Sequence, residues 1–322
     1  MAEDASKHSL HGRVISAFTG HVARVVPGPP VPPIARPAYA LQTLFLCVVA
    51  FSLAVSPISL GSGPLASSLY FLCWIALTAP MARRYGLVRS ALFMEAVSFT
   101  SLSAVTTLCA STLGGAVSGP FVDDLLVRAD LFMGYDWWAV FRLSRLYPSV
   151  VRSLDLAYAC LVPQTILMPL ALVLCRRERI MWEFLTAWTL AGIATSAIFP
   201  FAPAKGAALY FAVAPDAFTK RWFWMFGPQI EALRRGEALD ISRAVMGIVS
   251  VPSFHTAAGV MFTWASRAIP YVGTSLVALN LLMILSTPIS GIHYLVDVVA
   301  GLLVGILSIV GAKALTRGRS LA

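Results

Sequence analysis

Eight long apolar runs constrain this chain more than any other feature. They fall near residues 39–60, 64–82, 89–112, 155–175, 180–200, 253–269, 271–288 and 292–312. A hydrocarbon core about 30 Å thick takes ~20 residues of helix. Backbone inside lipid must also satisfy its own polar groups, which a helix does. The expected fold is an all-α polytopic membrane bundle of about eight transmembrane helices, the last six forming its core. Composition agrees, since only 12% of the 322 residues are charged, against about 25% in a soluble domain. An ordinary soluble enzyme is excluded, and so is disorder, which needs the opposite balance.

The net charge of +9 suits either nucleic acid or an anionic lipid surface. With no long basic run and no soluble body to carry one, the bilayer is the expected partner and nucleic acid is not. Cys47, Cys73, Cys109, Cys160 and Cys175 are odd in number, widely spaced and set in or beside apolar runs, which fits neither a disulfide framework nor a zinc motif.

Residues 1–37 read as a cytoplasmic arm. Val14, Phe18, Val22 and Val25 recur at helical spacing, as in a surface helix, and 27–37 is a Pro-rich spacer. The first apolar run begins too late for a cleavable signal peptide, so it is expected to stay attached. Two helices over 38–85 then lead into a membrane domain over 86–315, with a tail at 316–322. Segment 113–154, with Trp137 and Trp138 among Asp123, Asp124, Arg128 and Arg142, reads as interfacial helix with tryptophans at headgroup depth.

With eight spans both termini share a side. That side gathers Arg83, Arg84, Arg89, Arg176, Arg177, Arg179 and Arg267 on short loops, with Lys313, Arg317 and Arg319 on the tail. The positive-inside rule makes it cytoplasmic. Segments 113–154 and 201–252 then face the periplasm, lumen or exterior, and the expected location is a bacterial inner membrane with cytoplasmic termini and the site toward the periplasm.

Histidine placement locates the chemistry. His8, His11 and His21 lie in the arm, whereas His255 and His293 each open an apolar run on the non-cytoplasmic side. Ionisable residues at a span are functional candidates by default. Asp297 follows His293 by one helical turn, hence on the same face. A carboxylate there fixes the imidazole tautomer and leaves the other ring nitrogen free to attack an electrophile or take a proton. Ser253 can cap the helix that His255 opens, and a helix start with free N–H groups binds anions. Both histidines can meet around one phosphate.

Pro252-Ser253-Phe254-His255 resembles the P-S-x-H motif of the type 2 phosphatidate phosphatase superfamily, which includes the vanadium haloperoxidases. Ser286, His293 and Asp297 are similar to that family's S-R-x5-H-x3-D motif, with Thr287 at the arginine position. The His293-Tyr294 start and the Asp297, Ala300, Gly301 ending resemble the inositol phosphorylceramide synthase-like inositolphosphotransferase branch. The resemblance implies that His293 is the nucleophile, Asp297 its orienting partner, His255 the acid for the leaving alkoxide and Ser253 a phosphate ligand. The family's K-x6-R-P motif is absent. Segment 199–205 resembles a replacement for it, ending in Lys205 as phosphate ligand, and Arg234 or Arg235 can supply further positive charge.

The expected protein is an integral membrane lipid phosphatase or phosphotransferase that works through a phosphohistidine, without a metal or other cofactor. Its partners would be a membrane lipid phosphate and, for transfer, an alcohol acceptor. Two other classes stay open. His255, His293 and Asp297 could ligate a metal, or the same charges could line a transport path without chemistry.

Overall fold

The computed structural model describes residues 31–56, 58, 64–213, 226–237, 249–289 and 293–321. The arm's expected surface helix and His8, His11 and His21 lie outside them. Each of the eight apolar runs becomes helix. They are α1 (Arg36–Ala54), α2 (Pro64–Arg84), α3 (Val88–Ala116), a bent pair, α8 (Glu178–Ile198), α11 (Phe254–Ser266), α12 (Gly273–Ser286) and α13 (Leu295–Thr316). The polar stretches between them add α4 (Asp123–Phe132), α5 (Trp137–Ser144), α9 (Ala207–Tyr210) and α10 (Phe226–Arg234). No strand occurs among the described residues.

The bent pair is α6 (Pro148–Ala159) and α7 (Leu161–Leu174), turned by 48° at Cys160. Pro163 explains the break, because its ring would clash with the carbonyl of Ala159 four residues back and it has no N–H to offer. Among the described residues four helices can cross a membrane by length and composition, namely α3, α8, α13 and the helical run through α1, or five if the bent pair is one span. Helices α11 and α12, at 13 and 14 residues, rise only about 20 Å. They are short against the hydrocarbon thickness of about 30 Å.

Long helices α3, α8 and α13 form the centre; α11 packs against α8 and α13, and α12 against α11 and α6. Their core holds Trp182, Phe184, Trp188, Met261 and Phe262, all fully buried. Hydroxyls inside the bundle fold back on their own helices: Thr186 donates to the Trp182 carbonyl and Thr100 to that of Ala96. Those two hydroxyls are thereby not left bare in apolar surroundings. Helices α11 and α13 approach closely because α13 carries Gly301 and Gly305. A Cβ at 301 would stand 2.4 Å from the Ser253 carbonyl oxygen and one at 305 2.9 Å from that of Ala257. Small residues at helix interfaces allow such contact.

Helices α1 and α2 are held to α3 by charge as well as packing. Arg83 of α2 pairs with Glu95 of α3 at 2.5 Å, and Tyr39 of α1 donates to the same carboxylate at 2.9 Å. Glu183 pairs with Arg179 one turn away on α8. At the opposite end from the histidines, the Ile34 N–H bonds to the Ser320 carbonyl and Arg179 to that of Arg319. The described chain ends therefore meet at one end of the bundle.

Trp137 does not face a lipid interface. It is buried, stacks on Phe141 and Phe211, and donates its indole N–H to the Pro288 carbonyl at 3.0 Å. An indole whose N–H finds a carbonyl has no need of headgroups.

Candidate active site

Pro252 and Ser253 lead into α11, and the Ser253 hydroxyl accepts from the Thr256 N–H at 3.3 Å, the N-cap geometry that its sequence position suggests. The Ser253 N–H in turn donates to the Asp297 carbonyl. The starts of α11 and α13 are thereby stitched together, and the glycine at 301 lets them close.

His293 precedes α13 rather than lying within it. Asp297, in the helix's first turn, reaches back to accept from the Tyr294 N–H at 3.0 Å, as in half of a capping box. The same carboxylate oxygen, Oδ2, accepts from the Ser250 hydroxyl at 2.7 Å and stands 3.2 Å from His293 Nδ1. Nδ1 also faces the Ser250 carbonyl at 3.1 Å. Both neighbours of Nδ1 are acceptors, so Nδ1 carries the proton and Nε2 keeps a free lone pair. Nε2 faces Ser253 Oγ across 3.5 Å. Both His293 and Asp297 are buried.

His255, in the first turn of α11, stacks face to face on Tyr158 of α6, with ring centroids 3.9 Å apart and planes 9° from parallel. Its ring lies 6.4 Å from that of His293. The two rings are too far apart to bond directly and near enough for one tetrahedral group to touch both.

Two carboxylates of α4 brace this arrangement. Asp130 caps α13 by accepting the Leu295 and Val296 N–H groups at 2.9 and 2.8 Å. Burial pushes its carboxyl above the ordinary value, and those two backbone bonds restrain the rise. Asp123 accepts from the Tyr294 hydroxyl at 2.8 Å and from the backbone N–H groups of Lys205 and Gly206. Gly206 has φ 90°, a conformation for which glycine is suited. Tyr294 thus links segment 203–206 to the His293–Asp297 pair.

The basic candidates divide. The Lys205 ammonium lies 4.9 Å from the Phe121 ring centre and 3.8 Å from Glu231. Arg234 places its guanidinium 4.3 Å from the same ring and donates to the Ser118 hydroxyl and the Gly119 carbonyl. Two cations therefore share one aromatic ring. Arg235 turns outward, exposed and paired with Glu237 at 2.6 Å. Thr287 is buried, with its hydroxyl folded onto the Met283 carbonyl. Lys220, Arg221 and Arg243 lie outside the described residues.

Ser250, Tyr158 and Asp123 escaped the sequence reading. Nothing local marks Ser250 or Tyr158, whose partners are distant in sequence. Asp123 and Asp130 did leave a trace, two carboxylates seven residues apart and so on one face of a short apolar helix. Among the described residues no three His, Cys, Asp or Glu side chains are grouped to hold a metal ion.

The apolar helical bundle thus holds a buried imidazole–carboxylate pair with a second histidine ring 6.4 Å away. Residues 124–311 match the model of the PAP2 superfamily. The match spans more than half of the chain, and the chain belongs to that superfamily, whose members generally act as phosphatase-type hydrolases on phosphate esters. No curated protein and no solved structure matches it.

Proposed function

We propose that this protein cleaves or transfers the phosphate group of a membrane lipid through a phosphohistidine on His293. The observation that carries the reading is the pair of acceptors at His293 Nδ1, which leaves Nε2 unprotonated and turned toward Ser253 and the capped start of α11. Nε2 attacks phosphorus while the bond to the ester oxygen breaks, and His255 gives its proton to the departing alkoxide. Water or an alcohol then attacks the phosphohistidine and yields its proton to His255 as the P–N bond breaks, which restores both rings. Asp297 holds the His293 tautomer and stabilises the charge that forms on the ring. Ser253, Lys205 and Arg234 bind phosphoryl oxygens. Arg235, already paired with Glu237, joins only if that pair opens.

The site faces away from the cytoplasm in this reading, at the periplasmic side of a bacterial inner membrane, because the basic short loops belong to the other end. Transfer to an alcohol, as in inositolphosphotransferase-type synthases, is the finer alternative to hydrolysis. The His293-Tyr294 start and the place of Lys205 support it. The test is incubation of the purified protein with labelled phospholipids, with and without candidate alcohols. Phosphate release or a new phosphodiester that disappears in His293→Ala supports the proposal; transbilayer movement without either product favours a transporter.

A further inference from the structure

Outside the residues matched to the superfamily, α1, α2 and α3 enclose a crevice of about 350 Å³. Leu46, Val49, Leu53, Leu69, Val105 and Cys109 line it, together with Thr106. The Thr106 hydroxyl is already bonded to the Leu102 carbonyl, so the wall offers a ligand little beyond apolar surface. Such a space does not hold water well, and in a bilayer the available filler is hydrocarbon.

The crevice is not isolated. Val49, Ile58 and Cys109 belong to one apolar cluster that also contains Tyr158, with Phe121 packed against it. Tyr158 is the ring on which His255 stacks, and Phe121 is the ring beneath Lys205 and Arg234. One apolar cluster thus joins residues that line the crevice to the rings that carry the cations and the histidine that a phosphate would meet. That arrangement complements an amphiphile with one anionic head.

We infer that the crevice between α1, α2 and α3 is the binding site for an acyl chain of the phosphate-bearing lipid, which rests on the lipid-phosphate reading above. The two helices that precede the bundle then serve substrate selection: they add a chain-binding wall to a phosphate site that the rest of the molecule builds.

The test compares two substrates and two readouts. Ala50 lines the crevice from its exposed side, so Ala50→Trp fills the space without inserting bulk into a closed core. The variant should lower kcat/KM on long-chain phosphatidate in mixed micelles by about tenfold or more, and change kcat/KM on p-nitrophenyl phosphate by less than about twofold. Equal loss on both substrates, or loss on neither, overturns the inference. Independently of any variant, the parent protein is photolysed with phosphatidate carrying a diazirine near its chain end. Labelling concentrated in residues 46–54 and 105–109 supports the crevice, whereas labelling confined to other helices or spread evenly overturns it. Failure of the parent to turn over either phosphate counts against the phosphotransfer reading and leaves the labelling to decide the crevice.

Discussion

In the proposed mechanism a single nitrogen organises the chemistry. With Nδ1 of His293 held by Asp297 and Ser250, only Nε2 can form a bond to phosphorus, so His293→Ala should reduce turnover by about 10³-fold or more. A parent-like size-exclusion profile would show that the fold survives. Asp297→Asn should cost roughly 10²–10⁴-fold, since an amide can present its NH₂ to Nδ1 and turn the tautomer. His255→Ala should slow esters of poor leaving groups more than activated ones, which need less protonation; equal loss on alkyl and nitrophenyl phosphates would remove His255 from the acid role. Rate against pH should fall on both sides of an optimum, because one imidazole must be free of a proton while the other keeps it. The His293–Asp297 pair was legible in the sequence, although for a different cause than helical spacing. Asp297 reaches back to cap α13 and meets His293 outside the helix, and four residues of separation permit either geometry.

Among the elements, the first turn of α13 carries the most responsibility, and α4 holds it. Asp130→Asn keeps one acceptor oxygen for two N–H groups, which should cost about 1–3 kcal/mol and lower the thermal midpoint in detergent. Asp130 has a folded-state pKa above its ordinary value, so between the two the folded chain binds more protons than the unfolded one. Stability therefore declines as pH rises through that window and is flat above it. The variant should lack this slope, and a slope identical to the parent's would assign it elsewhere. At the neighbouring contact, Gly301→Ala places a methyl 2.4 Å from the Ser253 carbonyl oxygen. Helices α11 and α13 must then part, and activity should fall together with stability. Sequence periodicity revealed the apolar runs but not the bend at Cys160, which Pro163 imposes locally, nor the inward turn of Trp137, which depends on what the neighbouring element offers.

For the molecule as a whole, the proposed mechanism has basic side chains and helix starts supply the positive charge that phosphate needs. Turnover should therefore persist in EDTA, and vanadate should inhibit by occupying the site as a trigonal-bipyramidal mimic. Complete loss in EDTA with recovery on zinc addition would restore the metal reading of His255, His293 and Asp297. What the sequence alone determined was the solvent of this protein and its two histidine motifs. Apolar length and scarce charge dictate helices in lipid, and the motifs are short enough for local spacing to carry them. Tertiary structure decided which cations gather. Lys205 and Arg234 meet on Phe121 while Arg235 turns to Glu237, although Arg234 and Arg235 are adjacent in the chain. It also decided that Tyr158 backs His255 and that three N-terminal helices leave a crevice lined in part by the apolar cluster to which that ring belongs. Apart from the Arg235–Glu237 pair, these are contacts between segments tens of residues apart, set by how apolar faces close on one another, and no local pattern encodes them.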